Sequence, residues 1–296
     1  MLAFPYQPIA PAPQEPNVAV QGRTVFVRSP AGVPTGVFAY SLDGGAPRRF
    51  LARPGTQNLD GIETSPQALA LLTTSGPPDR VLYGPLNGPL KPLNKHVLDI
   101  GLSGSTMLSL EGYSKQSIFA RNVNGGPARR IAGPSRDLRY LRAAGPYVSV
   151  TNDKGRIIVL NWRTRREVYR VRPSGSPAYA LSADGRIVTR DNEFERIQTA
   201  SPANPHLHTI ARVNTAPYSL AVAGTRIVFE EILSRSTGRL VVLRPNGRRR
   251  AISPRMPLGG SGIDFDGHTV AFVSGGCVYA GPIPETTPTG SPPACS

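Results

Sequence analysis

Several short acidic phrases in this sequence have residue types that could do chemistry. Glu111 and Tyr113 stand together in "LEGYSK", Asp153 in "TNDKG", Asp191, Glu193 and Glu195 in "RDNEFE", and Glu230 beside Glu231. Two carboxylates held ~5–9 Å apart can hydrolyse a glycosidic bond. Carboxylates beside a tyrosine can equally form a cation or sugar site. "DNEFE" lacks the full ligand series and the turn glycine that a calcium loop needs. The plain alternative for all of them is a set of solvated turns. His206 and His208 could share one strand face, but no His/Cys/Asp cluster surrounds them, and no metal or other cofactor is expected. The chain has neither a Gly-x-Ser-x-Gly elbow nor a phosphate-binding P-loop.

Basic residues supply a second set. They fall in pairs and triplets: Arg48 and Arg49, Arg129 and Arg130, Arg165 and Arg166, then Arg248, Arg249 and Arg250, with Lys91 alone. The formal net charge is +15. Such a balance steers anionic partners and says nothing about fold. A nucleic-acid partner is not expected, because aromatic residues are only 7% and no basic run is interleaved with them. An anionic envelope polymer, a protein or a peptide remains open.

The elements that carry these residues emerge from a repeat. An apolar strand preceded by a small turn residue recurs seven times, at Gly22, Pro66, Gly104, Gly145, Gly185, Gly224 and Gly267. The spacings are 44, 38, 41, 40, 39 and 43 residues. A second frame lies between these copies: an apolar alternating run, a turn and a basic or polar strand, as in "VFAYSLDGGAPRRFL" and "IFARNVNGGPARRIA". Asp-Gly and Asn-Gly suit a tight hairpin, whose central residues need positive φ. Four short antiparallel strands at a ~40-residue period make a propeller blade. The expectation is an all-β, seven-bladed β-propeller of four-stranded antiparallel blades, with strands lettered a to d from the axis outward. Unit 7 runs out after three strands, so the N-terminal segment "MLAFPYQPIA" is expected to supply the fourth and close the ring. The Pro-rich C-terminal tail is the alternative.

"SLDGGAPRRFL" and "NVNGGPARRIA" resemble the outer hairpin of TolB-like propeller repeats, and "YALSADGRIV" is similar to an inner hairpin of the same repeats. "IIVLNWRTRREV" is closer to a WD40 outer hairpin, with Asn161-Trp162 in place of Trp-Asp. The likeness covers about residues 17–283. TolB-like propellers typically have six blades and an extra N-terminal domain; here seven units are counted and no such domain is seen. Most members of these families bind partners through a loop face or the axial channel. The resemblance therefore implies a non-catalytic binding or scaffold module. The competing reading is a propeller enzyme, a lyase or glycan hydrolase, working through carboxylates.

In the usual strand order, b–c and d–a loops share one face, and a–b and c–d turns share the other. The acidic phrases, with Asp79, fall in the b–c loops. The ligand-binding candidates are Glu111, Tyr113, Asp153, Asp191, Glu193, Glu230 and Glu231. The basic pairs fall on c–d turns and d strands, where charge also deters edge-to-edge pairing. The candidates for an anionic partner are Arg48, Arg49, Arg129, Arg130, Arg165, Arg166, Arg248 and Arg249.

Only two cysteines occur, Cys277 and Cys295, and they are expected to form a disulfide pinning the tail. That implies an oxidising, secreted or periplasmic location. No apolar run approaches the ~18 residues of a membrane span, and no signal peptide is visible at the start. The expected organisation is one monomeric propeller domain over 1–283 and a tail over 284–296.

Overall fold

A computed structural model describes residues 4–12, 18–28, 36–49, 59–73, 80–174, 179–191, 195–213, 219–244, 246–258 and 262–295. The protein is a seven-bladed β-propeller of four-stranded antiparallel blades, with no helix among the described residues. Strands a to d of blade 3 are Val97–Ser103, Thr106–Glu111, Gln116–Asn122 and Arg129–Ser135. Those of blade 4 are Arg139–Ala144, Tyr147–Thr151, Ile157–Asn161 and Arg166–Val171. Blade 6 carries an additional short strand, Met256–Pro257, against its strand c.

Strand b is a nearly continuous apolar run in blades 2 and 7, "ALALLT" and "TVAFVS", and both of these are buried along their whole length. A strand covered on both faces reads as continuous rather than alternating. The d strands are the opposite: Arg129–Ser135 buries only Ile131. They are sheet edges, and their charge discourages further pairing.

The chain forms two compact units: blades 2 to 4 with most of blade 5, and blades 6, 7 and 1. Within the first, apolar layers fill the spaces between successive blades. Leu108, Leu110, Ile118, Leu141 and Val148 lie between blades 3 and 4 with no solvent exposure. Ile157, Val159 and Ile187 do the same between blades 4 and 5. Each such side chain contributes about 1.5–3 kcal/mol. In the second unit, Val228, Val242, Phe272 and Tyr279 join blades 6 and 7.

The repeated turn glycines have two jobs. Gly22, Gly104, Gly145 and Gly224 each open a two-residue a–b turn with φ of 60°, 56°, 53° and 56°, the left-handed region that suits glycine. The carbonyls of Gly22, Gly104 and Gly145, and of the equivalent Gly185, also accept side-chain hydrogen bonds. Ser65 Oγ donates to Gly104 O at 2.7 Å, Trp162 Nε1 to Gly145 O at 2.9 Å, Tyr169 OH to Gly185 O at 2.7 Å, and Thr269 Oγ1 to Gly22 O at 2.7 Å. Trp162 reaches back within its own blade; the other three bonds run between blades.

The N-terminal segment is a strand, Gln7–Pro11, paired antiparallel with Cys277–Pro282 on the outer edge of blade 7. Pro8 and Pro11 are tolerated because an edge strand need not donate on both sides. Tyr6 anchors it: the ring is 2% exposed and its hydroxyl donates to Ile252 O at 2.8 Å. The C-terminal tail contributes no strand among the described residues. It is held by the Cys277–Cys295 disulfide and by a hydrogen bond from Tyr279 OH to Pro293 O at 2.7 Å.

Candidate functional site

The b–c connection of blade 3 is short and forced. Gly112 has φ of 111°, and a Cβ there would lie 2.3 Å from Lys115 O. Only glycine allows the turn, and the turn pushes Tyr113 outward until it is 66% exposed. Its ring stacks on His96, with centroids 3.6 Å apart and planes 14° apart. Gln116 then ties this connection to the d–a connection between blades 3 and 4: its Nε2 donates to Tyr113 O, and its Oε1 accepts from Leu138 N at 3.2 Å.

Two non-glycine residues of that second connection and the strand it feeds, Asp137 (φ 58°) and Tyr140 (φ 51°), take left-handed backbone conformations. Such conformations persist only where surroundings hold them, and they gather at ligand sites. Tyr140 is held from behind, since its carbonyl accepts from the buried Tyr179 hydroxyl, which burial pushes to a raised pKa.

These parts enclose a cavity of about 540 Å³, lined by Leu72, Leu98, Asp99, Tyr113, Gln116, Asp137, Leu138, Arg139 and Tyr140. Among the described residues, five large apolar or aromatic side chains are exposed: Leu98, Tyr113, Tyr140, Val168 and Leu233. Three of the five line this cavity. Asp99 sits at its inner wall and accepts from Ile100 N at 2.9 Å and Leu141 N at 2.8 Å, with Arg142 at 3.5 Å. Burial pushes its carboxyl above the usual carboxylate range, against the pull of Arg142 and of both backbone donors. Asp137 and Arg139 are exposed at the cavity's edge. The lining combines the apolar and aromatic side chains of Leu72, Leu98, Tyr113, Leu138 and Tyr140 with the polar groups of Asp99, Gln116, Asp137 and Arg139.

Among the described residues, Tyr113 is the only candidate from the sequence that lines this cavity. The expectation that the acidic residues occupy loops needs correction: Glu111, Asp191, Glu230 and Glu231 lie in b strands and are 8%, 0%, 2% and 9% exposed. Glu111 is engaged inside its own blade by Arg121, whose Nη2 donates to Glu111 Oε2 at 3.1 Å and whose Nη1 donates to Ser109 Oγ at 2.7 Å. Glu231 accepts from Arg239 Nε at 2.7 Å and Arg249 Nη1 at 3.2 Å. Part of the positive charge therefore neutralises buried carboxylates. Asp153 is exposed in the b–c turn of blade 4, a turn built by Asn152, whose Oδ1 accepts from Lys154 N and Arg156 N at 3.1 and 3.0 Å. Glu193 and Asp79 lie outside the described residues.

The arginines follow the repeat. Arg48, Arg49, Arg129, Arg130, Arg166 and Arg249 are on d strands, and Arg165 and Arg248 are in c–d turns; all are exposed. Among the described residues, no three His, Cys, Asp or Glu side chains converge as a metal site requires. His206 and His208 lie exposed on strand d of blade 5.

No known family model matches the chain, and no curated protein is detectably similar. Solved structures are similar. A chain of a mitotic checkpoint complex has a TM-score of 0.68 at 10% identity, covering 94% of this chain and 96% of that one. The β-propeller domain of Cps50 (Swd1) from Myceliophteria thermophila gives 0.61 at 12%, covering 94% and 98%. Virginiamycin B lyase from Staphylococcus aureus gives 0.65 at 14%, covering 94% and 98%. The likeness is one of fold. It extends to assembly components and to an enzyme alike, so function has to be argued from the site.

Proposed function

We propose that this protein is a non-catalytic binding module that takes an apolar or aromatic side chain of a partner polypeptide into the blade 3–4 cavity. The observation that carries this is the gathering of Leu98, Tyr113 and Tyr140, all exposed, around one cavity. Exposed aromatic side chains on a rigid base supply contact area at little entropic cost, and such anchors dominate interface energies. Gln116, Gly112 and Tyr179 provide that rigidity. The disulfide fits a secreted or periplasmic location. The same proposal treats 1–283 as one monomeric propeller domain closed through its N-terminal strand, with 284–296 as a pinned tail.

Selecting a displayed peptide library on the immobilised protein tests this. Enriched peptides should share an apolar or aromatic anchor. Tyr113→Ala should weaken them by roughly tenfold or more, equivalent to about 1.4 kcal/mol, while Val168→Ala leaves them unchanged. Enrichment indifferent to both tyrosines would refute it.

A second reading, a lyase or hydrolase, has one observation in its favour: His96, Asp99, Tyr113 and Arg139 all stand at or beside the same cavity. Asp99, with its raised pKa, is the carboxylate such a reaction would use, because it lines the cavity and Glu111 and Glu231 do not. Turnover abolished by Asp99→Asn would favour it.

A further inference from the structure

At the opposite edge of blades 3 and 4, the c–d turn of blade 4 reads "NWRTRR" and strand d of blade 3 opens with Arg129 and Arg130. The two phrases meet at Trp162. Arg129 Nη2 donates to Trp162 O at 3.2 Å, and the Arg163 guanidinium lies 5.3 Å from the centre of the indole ring. Arg165, with a left-handed φ of 61°, and Arg166 continue the cluster. All five guanidinium-bearing residues are exposed, and among the described residues none of them makes an ion pair. Nearby Glu167 is already engaged by Arg170, with Nε and Oε1 2.6 Å apart. Elsewhere in the chain, arginines such as Arg121, Arg239 and Arg249 are engaged by carboxylates. Deterring edge pairing needs a charge or two on an edge strand; it does not call for arginines from two blades meeting at one tryptophan, with three more beside them in sequence.

We infer that the Trp162-centred arginine cluster is a docking surface for a flexible polyanion, a polymer bearing sulfate, phosphate or carboxylate groups along its chain. Charge complementarity selects the class, because planar guanidinium forks match such oxyanions. The surroundings select among polyanions. Trp162 is only 9% exposed, its indole N–H is taken by Gly145 O, and the one large apolar side chain exposed beside the five arginines among the described residues is Val168, on the strand that Arg166 opens. Bases would have no aromatic face to stack on, and a single valine is a poor anchor for a bilayer. What remains is a surface for charge and hydrogen bonding. It lies on the face away from the blade 3–4 cavity, so its success or failure is separate from that of the proposed module.

Trp162 is the chain's only tryptophan and reports directly on the cluster. Dextran sulfate titrated into the protein at about 50 mM salt should change its fluorescence saturably, with affinity falling steeply as salt rises. Arg165→Gln/Arg166→Gln should weaken binding about tenfold and flatten the log affinity against log salt slope by about two, with Arg163 left in place to preserve the reporter. Arg235→Gln/Arg244→Gln, an equal charge loss on blade 6, should leave both nearly unchanged. Equal weakening in the two double variants would overturn the assignment, since it would mean attraction to overall charge. Absence of binding, binding only to phosphatidylserine vesicles, or tighter binding to oligothymidylate than to dextran sulfate would overturn it too.

Discussion

Arg121 offers a sharp test of how the buried charges are arranged. Its guanidinium and the Glu111 carboxylate are each about 9% exposed. Residues 107, 109 and 111 of strand b share a face with 121, 119 and 117 of strand c through the antiparallel register. Arg121 runs along that face, passes over the Phe119 ring at 5.3 Å, touches Ser109 and ends on Glu111. Arg121→Met keeps much of the stem but leaves a carboxylate in the blade interior without its cation. Breaking a buried pair from one side costs about 3–5 kcal/mol, whereas replacing both partners with apolar groups is often close to neutral. Urea midpoints should therefore fall strongly in Arg121→Met and recover most of the loss in Arg121→Met/Glu111→Leu. The cycle should give a coupling of roughly 2–3 kcal/mol. Peptide binding at the blade 3–4 cavity should survive in the double variant, because Glu111 does not line it. A single-variant cost under about 1 kcal/mol, or strictly additive losses, would refute the arrangement.

Asp264 should give the protein a pH signature: burial, aided by Asp266, pushes its carboxyl up to about 6 although Val20 N donates to it at 2.7 Å. Because the folded value is raised, its favourable contribution is complete below about pH 4 and is lost as pH rises through about 6; the swing is on the order of 2–3 kcal/mol. Comparing urea midpoints at acidic and neutral pH, Asp264→Asn should gain relative to the parent as pH rises, and parallel profiles would contradict this. The disulfide spans 18 residues of sequence, so Cys277→Ala/Cys295→Ala should lose about 3 kcal/mol by loop-closure entropy. Thermal unfolding of the variant checks it, and intact mass after alkylation with and without reductant verifies the bond in the parent.

Much of the fold was legible because blades are local. Gly44 and Gly45 sit at φ of 91° and 100° in the c–d hairpin that "SLDGGAPRRF" implies, and Gly125 and Gly126 repeat it at 125° and 103°. Turn glycines, apolar runs and charged edges lie within about 40 residues of one another, and local chemistry sets each. The Cys277–Cys295 bond was also readable, from an even cysteine count with one of the two in a Pro-rich tail.

The site obeyed a different logic. Glu111 and Tyr113 are two residues apart, and sequence alone made them one candidate pair. Tertiary structure separates them: strand alternation and Arg121 draw Glu111 inward, while the Gly112 turn pushes Tyr113 out. The register of "LSLE" against "FAR" was a usable clue to the first event. No comparable clue announced the cavity. It exists because a b–c connection with the start of its strand c, a d–a connection, two a strands and the end of strand b of blade 2, drawn from residues 72 to 140, arrive at one place. Asp99 in "HVLDIG" was a local oddity, a carboxylate within an apolar first strand, as is Asp264 in "GIDF". Residues close in sequence inherit their geometry from backbone preferences, so blades could be read; residues brought together across blades inherit theirs from packing, which only the folded chain contains.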